Sequence, residues 1–151
     1  MFAPEQAGGL TTSGRPVVQL SLAFNRALTG TAVWSYHAVN LAIHVCAGLV
    51  LAGVMRRTLL APLLRARYGP VALPLAFVVA GLWTLHPLQT ESVTNVAQRT
   101  ESLCGLFYLL TLYAFARAAE APAARRWPLL AVAACLLGMG SKEVMATAPL
   151  L

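Results

Sequence analysis

The chain alternates long apolar runs with short polar segments. Residues 38–54 form one such run, lengthened by Tyr36 and His37 and stopped by Arg56-Arg57. A second, residues 71–85, ends at His86-Pro87, and a third, 102–116, closes at Arg117. A fourth, 127–140, opens on Arg125-Arg126-Trp127-Pro128, and a fifth begins at Val144 and reaches Leu151. A membrane-spanning helix needs about 20 apolar residues, within a range of roughly 17–25. Completed by flanking polar residues, the first four runs predict four full spans, and the fifth the start of another, across residues 31–151. A soluble bundle would show polar helix faces, and these runs lack them.

Upstream the pattern changes. Between Arg15 and Leu28 the apolar Val18, Leu22 and Leu28 fall near helical spacing, with Gln19, Asn25 and Arg26 between them. This predicts an amphipathic helix over 15–30 lying at the membrane interface. Residues 1–14 lack the basic start and apolar stretch of a signal peptide and read as a loop remnant. The predicted fold is therefore all-α: a polytopic transmembrane helical bundle with an N-terminal amphipathic interfacial helix.

Composition agrees. Of 151 residues, 58% are hydrophobic and 11% charged, against about 25% charged in a soluble domain. A mean hydropathy of +0.69 excludes disorder and an ordinary soluble enzyme. The pI near 9.9 would suggest nucleic acid in a polar chain, but in an apolar one it points to membrane topology, so no nucleic-acid partner is expected. Cys46, Cys104 and Cys135 lie in apolar stretches without ligand spacing and read as small buried hydrophobes.

The charges sort by loop. If Arg56-Arg57 is cytoplasmic, segments 55–70 and 117–128 share that side, with seven arginines against Glu120, a sum of +6. The opposite side holds Arg15, Arg26, Arg99 and Lys142 against Glu5, Glu91, Glu101 and Glu143, which cancel. The entire net charge lies on one side, as the positive-inside rule expects. Topology accounts for the cytoplasmic arginines, so candidate chemistry sits on the balanced side.

Three junctions gather there. In His86-Pro87-Leu88-Gln89-Thr90-Glu91, Pro87 ends a span, Thr90 suits an N-cap and Glu91 suits a first turn. On one continued helix, Glu91, Thr94, Asn95, Gln98 and Ser102 would form a polar stripe with Arg99 at its edge, facing a cavity or the bundle interior. Ser141-Lys142-Glu143 holds the chain's single lysine. Arg15-Pro16 is followed by His37, Asn40, His44 and Gly48 on a narrow helical arc, where interhelical hydrogen bonding is a better reading than a metal site.

Taken in order, RPVVQLSLAFNRAL, YHAVNLAIH, LHPLQTESV, QRTESL and SKE resemble the membrane half of the transmembrane and tetratricopeptide-repeat protein O-mannosyltransferases of the GT-C superfamily. The resemblance runs from about Gly14 onward. It implies an integral-membrane glycosyltransferase moving a sugar, mannose by this family, from a polyprenyl-phosphate donor to a protein Ser or Thr hydroxyl on the periplasmic or lumenal side. Its partners would be the lipid bilayer, the lipid-linked sugar donor and a protein acceptor. The resemblance places the catalytic carboxylate in a loop ahead of the Arg-Pro motif. This chain has no Asp, so the catalytic base is expected upstream of Met1, and the chain reads as a fragment, inactive alone.

Donor-binding candidates are Arg15, His86, Glu91, Arg99, Glu101, Lys142 and Glu143. The cations would face the lipid phosphate. His86 would donate to phosphate or sugar, and the glutamates would orient cations, bind hydroxyls or hold a divalent ion. No resident cofactor is firmly implied. Arg15, His86, Glu91, Arg99 and Lys142 are expected to lie on one side of the membrane and converge on one cavity. A non-enzymatic membrane scaffold and a small transporter remain alternatives. Arginine-rich, lysine-poor usage favours a bacterial inner membrane over the endoplasmic reticulum.

Overall fold

The computed structural model describes residues 14–95, 98–121 and 123–145, with the side chains of Ser92 and Val93 set aside. Among the described residues every regular element is helical. Helix α1 spans Pro16–Thr29, α2 Val33–Leu60, α3 Pro62–Tyr68 and α4 Ala72–Thr84. A 3-10 turn at Gly69–Val71 joins α3 to α4, and another at Pro87–Gln89 leads into the short α5, Thr90–Thr94. Helices α6, Arg99–Glu120, and α7, Arg126–Met139, follow.

Three segments are long and apolar enough to cross a membrane: Val33–Leu60, Pro62–Thr84 and Arg99–Glu120. The fourth predicted span is the 14-residue α7, about 21 Å long at 1.5 Å per residue and shorter than the hydrocarbon core. Most of the fifth run, like residues 1–13 of the loop remnant, lies outside the described residues.

Helix direction follows from the contacts at each end. Asn40 near the start of α2 meets Arg99 at the start of α6, while Arg57 and Glu120 pair at their far ends. The two helices therefore run parallel. His44 of α2 bonds the carbonyl of Thr84 at the end of α4, so α4 is antiparallel to both. Helix α6 packs on α2 and α7, and α2 also packs on α4. Small residues allow these approaches: Gly48 faces the Thr84 side chain, and a Cβ at Gly53 would lie 2.9 Å from the Tyr113 ring. Outside these seams the helices present apolar side chains, such as Leu41, Val45, Leu49, Phe77, Leu82 and Phe115, outward. Such an exterior suits lipid.

The N-terminal helix forms as expected, with Pro16 in its first turn, but its faces divide differently. Val18 and Asn25 face inward, whereas Leu20, Phe24 and Leu28 are exposed. Leu28 thus leaves the face it was expected to share with Val18. The inward face is chosen by a polar partner, Arg99, rather than by apolar periodicity. Cys46 also departs from expectation: it is exposed on α2, while Cys104 and Cys135 are partly buried. At a lipid-facing position a small polarizable side chain needs no protein cover.

Candidate functional site

Among the described residues the most buried charge is Arg99, with no accessible surface. Its Nε donates to Asn40 Oδ1 at 2.7 Å, and its Nη2 to Asn25 Oδ1 at 3.1 Å and to the Tyr36 carbonyl at 3.1 Å. Nη1 reaches the Ser21 carbonyl at 3.5 Å, and the guanidinium lies 5.6 Å from the Tyr36 ring centroid. One side chain of α6 is thereby tied to both α1 and α2. The two amides are held in turn. Asn25 Nδ2 donates to Ser35 Oγ at 3.0 Å, and Asn40 Nδ2 to the Asn95 carbonyl at 3.3 Å. A planar fork of five donors suits several oxygens arranged around it, which a lysine could not match.

This network corrects the predicted stripe. Residues 91–102 are not one helix: α5 ends at Thr94, and the capping Asn95 has an extended backbone at φ −100° and ψ 118°. Asn95 turns its carbonyl to Asn40 instead of continuing the helical ladder. Arg99, expected at the edge of a stripe, stands at the centre of the packing. Thr90 is likewise not an N-cap. It is the first residue of α5, its hydroxyl donates to the Pro87 carbonyl at 2.7 Å, and Gln89 occupies the cap position. Glu91 does lie in the first turn.

The other candidates sit around this network. Lys142 forms an ion pair with Glu101, two residues beyond Arg99 on α6. The backbone N–H of Val17 donates to the Gly140 carbonyl at 3.3 Å, which sets Arg15-Pro16 beside Ser141-Lys142-Glu143. A Cβ at Gly140 would lie 2.8 Å from Val17 Cγ2, so this contact needs glycine. Ser141 is fully buried and donates to the Leu137 carbonyl at 3.0 Å. Two junctions thus meet at one end of the bundle, and Asn40 connects the third, through Asn95, to Arg99. His86 and Glu91 are exposed. His86 Nδ1 accepts from the Leu88 N–H at 3.2 Å, which puts the donor of the neutral ring on Nε2. Glu143 is exposed beside Lys142.

Glu101 also borders an apolar cavity of about 380 Å3, lined by Trp83, Cys104, Tyr108, Val144 and Met145 among others. His37, Asn40, His44 and Gly48 do share an arc, and His44 bonds the Thr84 carbonyl at 3.0 Å while stacking on Trp83 at 5.2 Å. The polar residues that sequence reasoning passed over are Asn25, Tyr36 and Ser35. Asn25 lies seven residues from Val18, a spacing that placed it on the inward face.

Among the described residues no three His, Cys, Asp or Glu side chains come together.

At the opposite end stand Arg57, Arg117, Glu120, Tyr113 and Trp127, linked by the Arg57–Glu120 pair and an Arg117–Glu120 contact at 3.5 Å. The fold and its charged ends define a polytopic integral-membrane protein, with one arginine-rich pole and one charge-balanced polar pole. Comparison with known proteins gives the lineage. Protein O-mannosyl-transferase TMTC1 of Mus musculus is 33% identical over 108 residues, 72% of this chain and 10% of that protein. TMTC2 of Mus musculus is 31% identical over 121 residues, 79% of this chain and 13% of that protein. Tmtc2 of Drosophila melanogaster is 32% identical over 154 residues, 96% of this chain and 15% of that protein. No family model matches the chain, and no solved structure does. The chain is homologous to a segment of the protein O-mannosyl-transferases and spans about a tenth of the length of the first of these relatives.

Proposed function

We propose that these residues form part of the donor side of a membrane glycosyltransferase, which moves mannose from a polyprenyl phosphate to a Ser or Thr hydroxyl of a protein. The observation that carries this reading is the Lys142–Glu101 pair at the edge of an apolar cavity, on the pole away from the arginine-rich end. A lipid-linked phosphate needs such a place, with apolar surface for its chain and a cation for its head.

In the reaction the acceptor oxygen bonds to the anomeric carbon while the carbon–oxygen bond to phosphate breaks. The acceptor proton passes to a general base, which none of the residues named here is assigned to supply. Charge grows on the departing phosphate, and Lys142 and Arg15 stabilise it from this end. Glu101 holds the Lys142 ammonium in place. His86, through Nε2–H, donates to phosphate or sugar oxygens, and Glu91 and Glu143 accept from sugar hydroxyls. Arg99, with its donors engaged, contributes its positive field and the position of α1 rather than direct contact.

The bilayer, the lipid-linked donor and an acceptor protein are the partners of this reading. Ten arginines against one lysine support a bacterial inner membrane. The relatives named above are animal proteins and lend that preference no support. The test uses membranes of cells expressing the protein from its native locus, supplied with polyprenyl-phosphate mannose and a Ser/Thr-rich peptide. Mannosyl peptide should form, and Lys142→Gln should lower its rate by roughly a hundredfold. Equal product from wild type, Lys142→Gln and a strain lacking the gene would leave a scaffold or transporter instead.

A further inference from the structure

The arginine-rich pole was explained above by topology alone, yet its side chains are organised beyond what topology requires. The Arg57 guanidinium lies 4.9 Å from the Tyr113 ring centroid, and those of Arg117 and Arg126 lie 4.5 and 5.3 Å from that of Trp127. The two rings meet edge to face at 6.2 Å. Glu120 is the acidic member of this cluster and pairs with both Arg57 and Arg117. Three N–H groups in it, Arg57 Nε, Arg117 Nε and Trp127 Nε1, are buried without an acceptor. The described residues hold one other such atom, Ser21 Oγ.

Orphaned donors gathered in one place call for an explanation, because a buried N–H left unpaired costs about 1–3 kcal/mol. All three are donors and none is an acceptor, so the missing partner must bring oxygens. The local charge, with Arg125 also close in sequence, exceeds what one carboxylate balances, so that partner is also an anion. The cluster lies where α2 and α6 end and α7 begins, at an end of two candidate spans, which is headgroup depth in a bilayer. Arginine side chains on flexible stems can turn the Nε and Nη edge outward and take an oxyanion bidentately. We propose that this cluster is a binding site for the phosphate of an anionic phospholipid, seated between α2, α6 and α7. Basic pockets between transmembrane helices are suited to such headgroups.

The test is native mass spectrometry of the purified chain released from detergent containing phosphatidylglycerol or phosphatidylcholine. The wild type should retain phosphatidylglycerol in preference to phosphatidylcholine. Arg117→Gln should weaken that retention about fivefold, the effect expected for one arginine at a headgroup. Trp127→Phe, which keeps an aromatic ring and the charge but removes one orphaned N–H, should also weaken it. Arg65→Gln, on the same pole but outside the cluster, should leave it unchanged. Circular dichroism identifies any variant that has lost its helices, and the Trp127→Phe comparison then decides. Equal loss from Arg65→Gln and Arg117→Gln would reduce the effect to diffuse charge and overturn the site. Displacement of the lipid by inorganic phosphate would assign the site to a free anion and overturn the lipid.

Discussion

Arg99 Nε donates to Asn40 Oδ1 at 2.7 Å, joining two helices across 59 residues of sequence at a point with no solvent access. This guanidinium donates to four neutral oxygens: two side-chain amides and two backbone carbonyls. A buried cation held this way is costly unless every donor is met, so the network is more sensitive to losing an acceptor than an ion pair at the surface is.

Removing either side of that bond should therefore destabilise the bundle. Arg99→Ala strips the acceptors on Asn25 and Asn40 of their donor, and Asn40→Ala leaves the guanidinium short of an oxygen. Each should cost about 3 kcal/mol, since hydrogen bonds to charged groups are worth roughly 1.5–3 kcal/mol. Arg99→Lys keeps the charge but cannot reach α1 and α2 together, so it should recover less than half of the loss. Denaturant titration in detergent, followed by circular dichroism, measures all three. A fully stable Arg99→Lys would show that charge, not the fork, is what the site uses.

The glycines separate by what they face. A side chain at Gly48 would run into Thr84, so Gly48→Ala should force α2 from α4 and cost about 1–3 kcal/mol. Gly105 faces open space on α6, and Gly105→Ala should be neutral or stabilising by up to about 1 kcal/mol through helix propensity. The same melting experiment distinguishes them, and equal losses at both positions would contradict the packing described.

Much of this was readable from residue order. Apolar run length located α2 and α6, and arginine placement sorted the two poles, because both follow from what a bilayer excludes. The two motifs that hold Lys142 and Glu101 were expected on the same side, but their pairing was not visible in the sequence. What sequence could not show was the break at Asn95. Helical periodicity carries no information about a carbonyl that leaves its ladder to meet Asn40. For the same reason Arg99 looked peripheral. Its depth depends on amides contributed by α1 and α2, 74 and 59 residues away. The shortness of α7 was legible in its apolar run over 127–140; what failed was the expectation that flanking polar residues would extend it to a span, because the helix stops at Met139.

Sidedness can be read directly. Leu63, 94% exposed in α3, belongs to the arginine-rich pole, and Leu88, 81% exposed after α4, to the balanced one. With the three native cysteines replaced by Ala, Leu63→Cys and Leu88→Cys should react with a membrane-impermeant maleimide from opposite sides of sealed vesicles. Labelling of both from one side would break the topology on which both poles depend.

Charge reversal in the mannose-transfer assay tests most directly whether Lys142 and Glu101 act together on a lipid-linked donor. Their pairing is solvent-exposed, so stability should change by less than about 1 kcal/mol in any of the variants. Lys142→Glu and Glu101→Lys should each nearly abolish transfer, and the double reversal should restore a measurable part of it at unchanged stability. Full activity in both single variants, with the fold intact, would contradict the account.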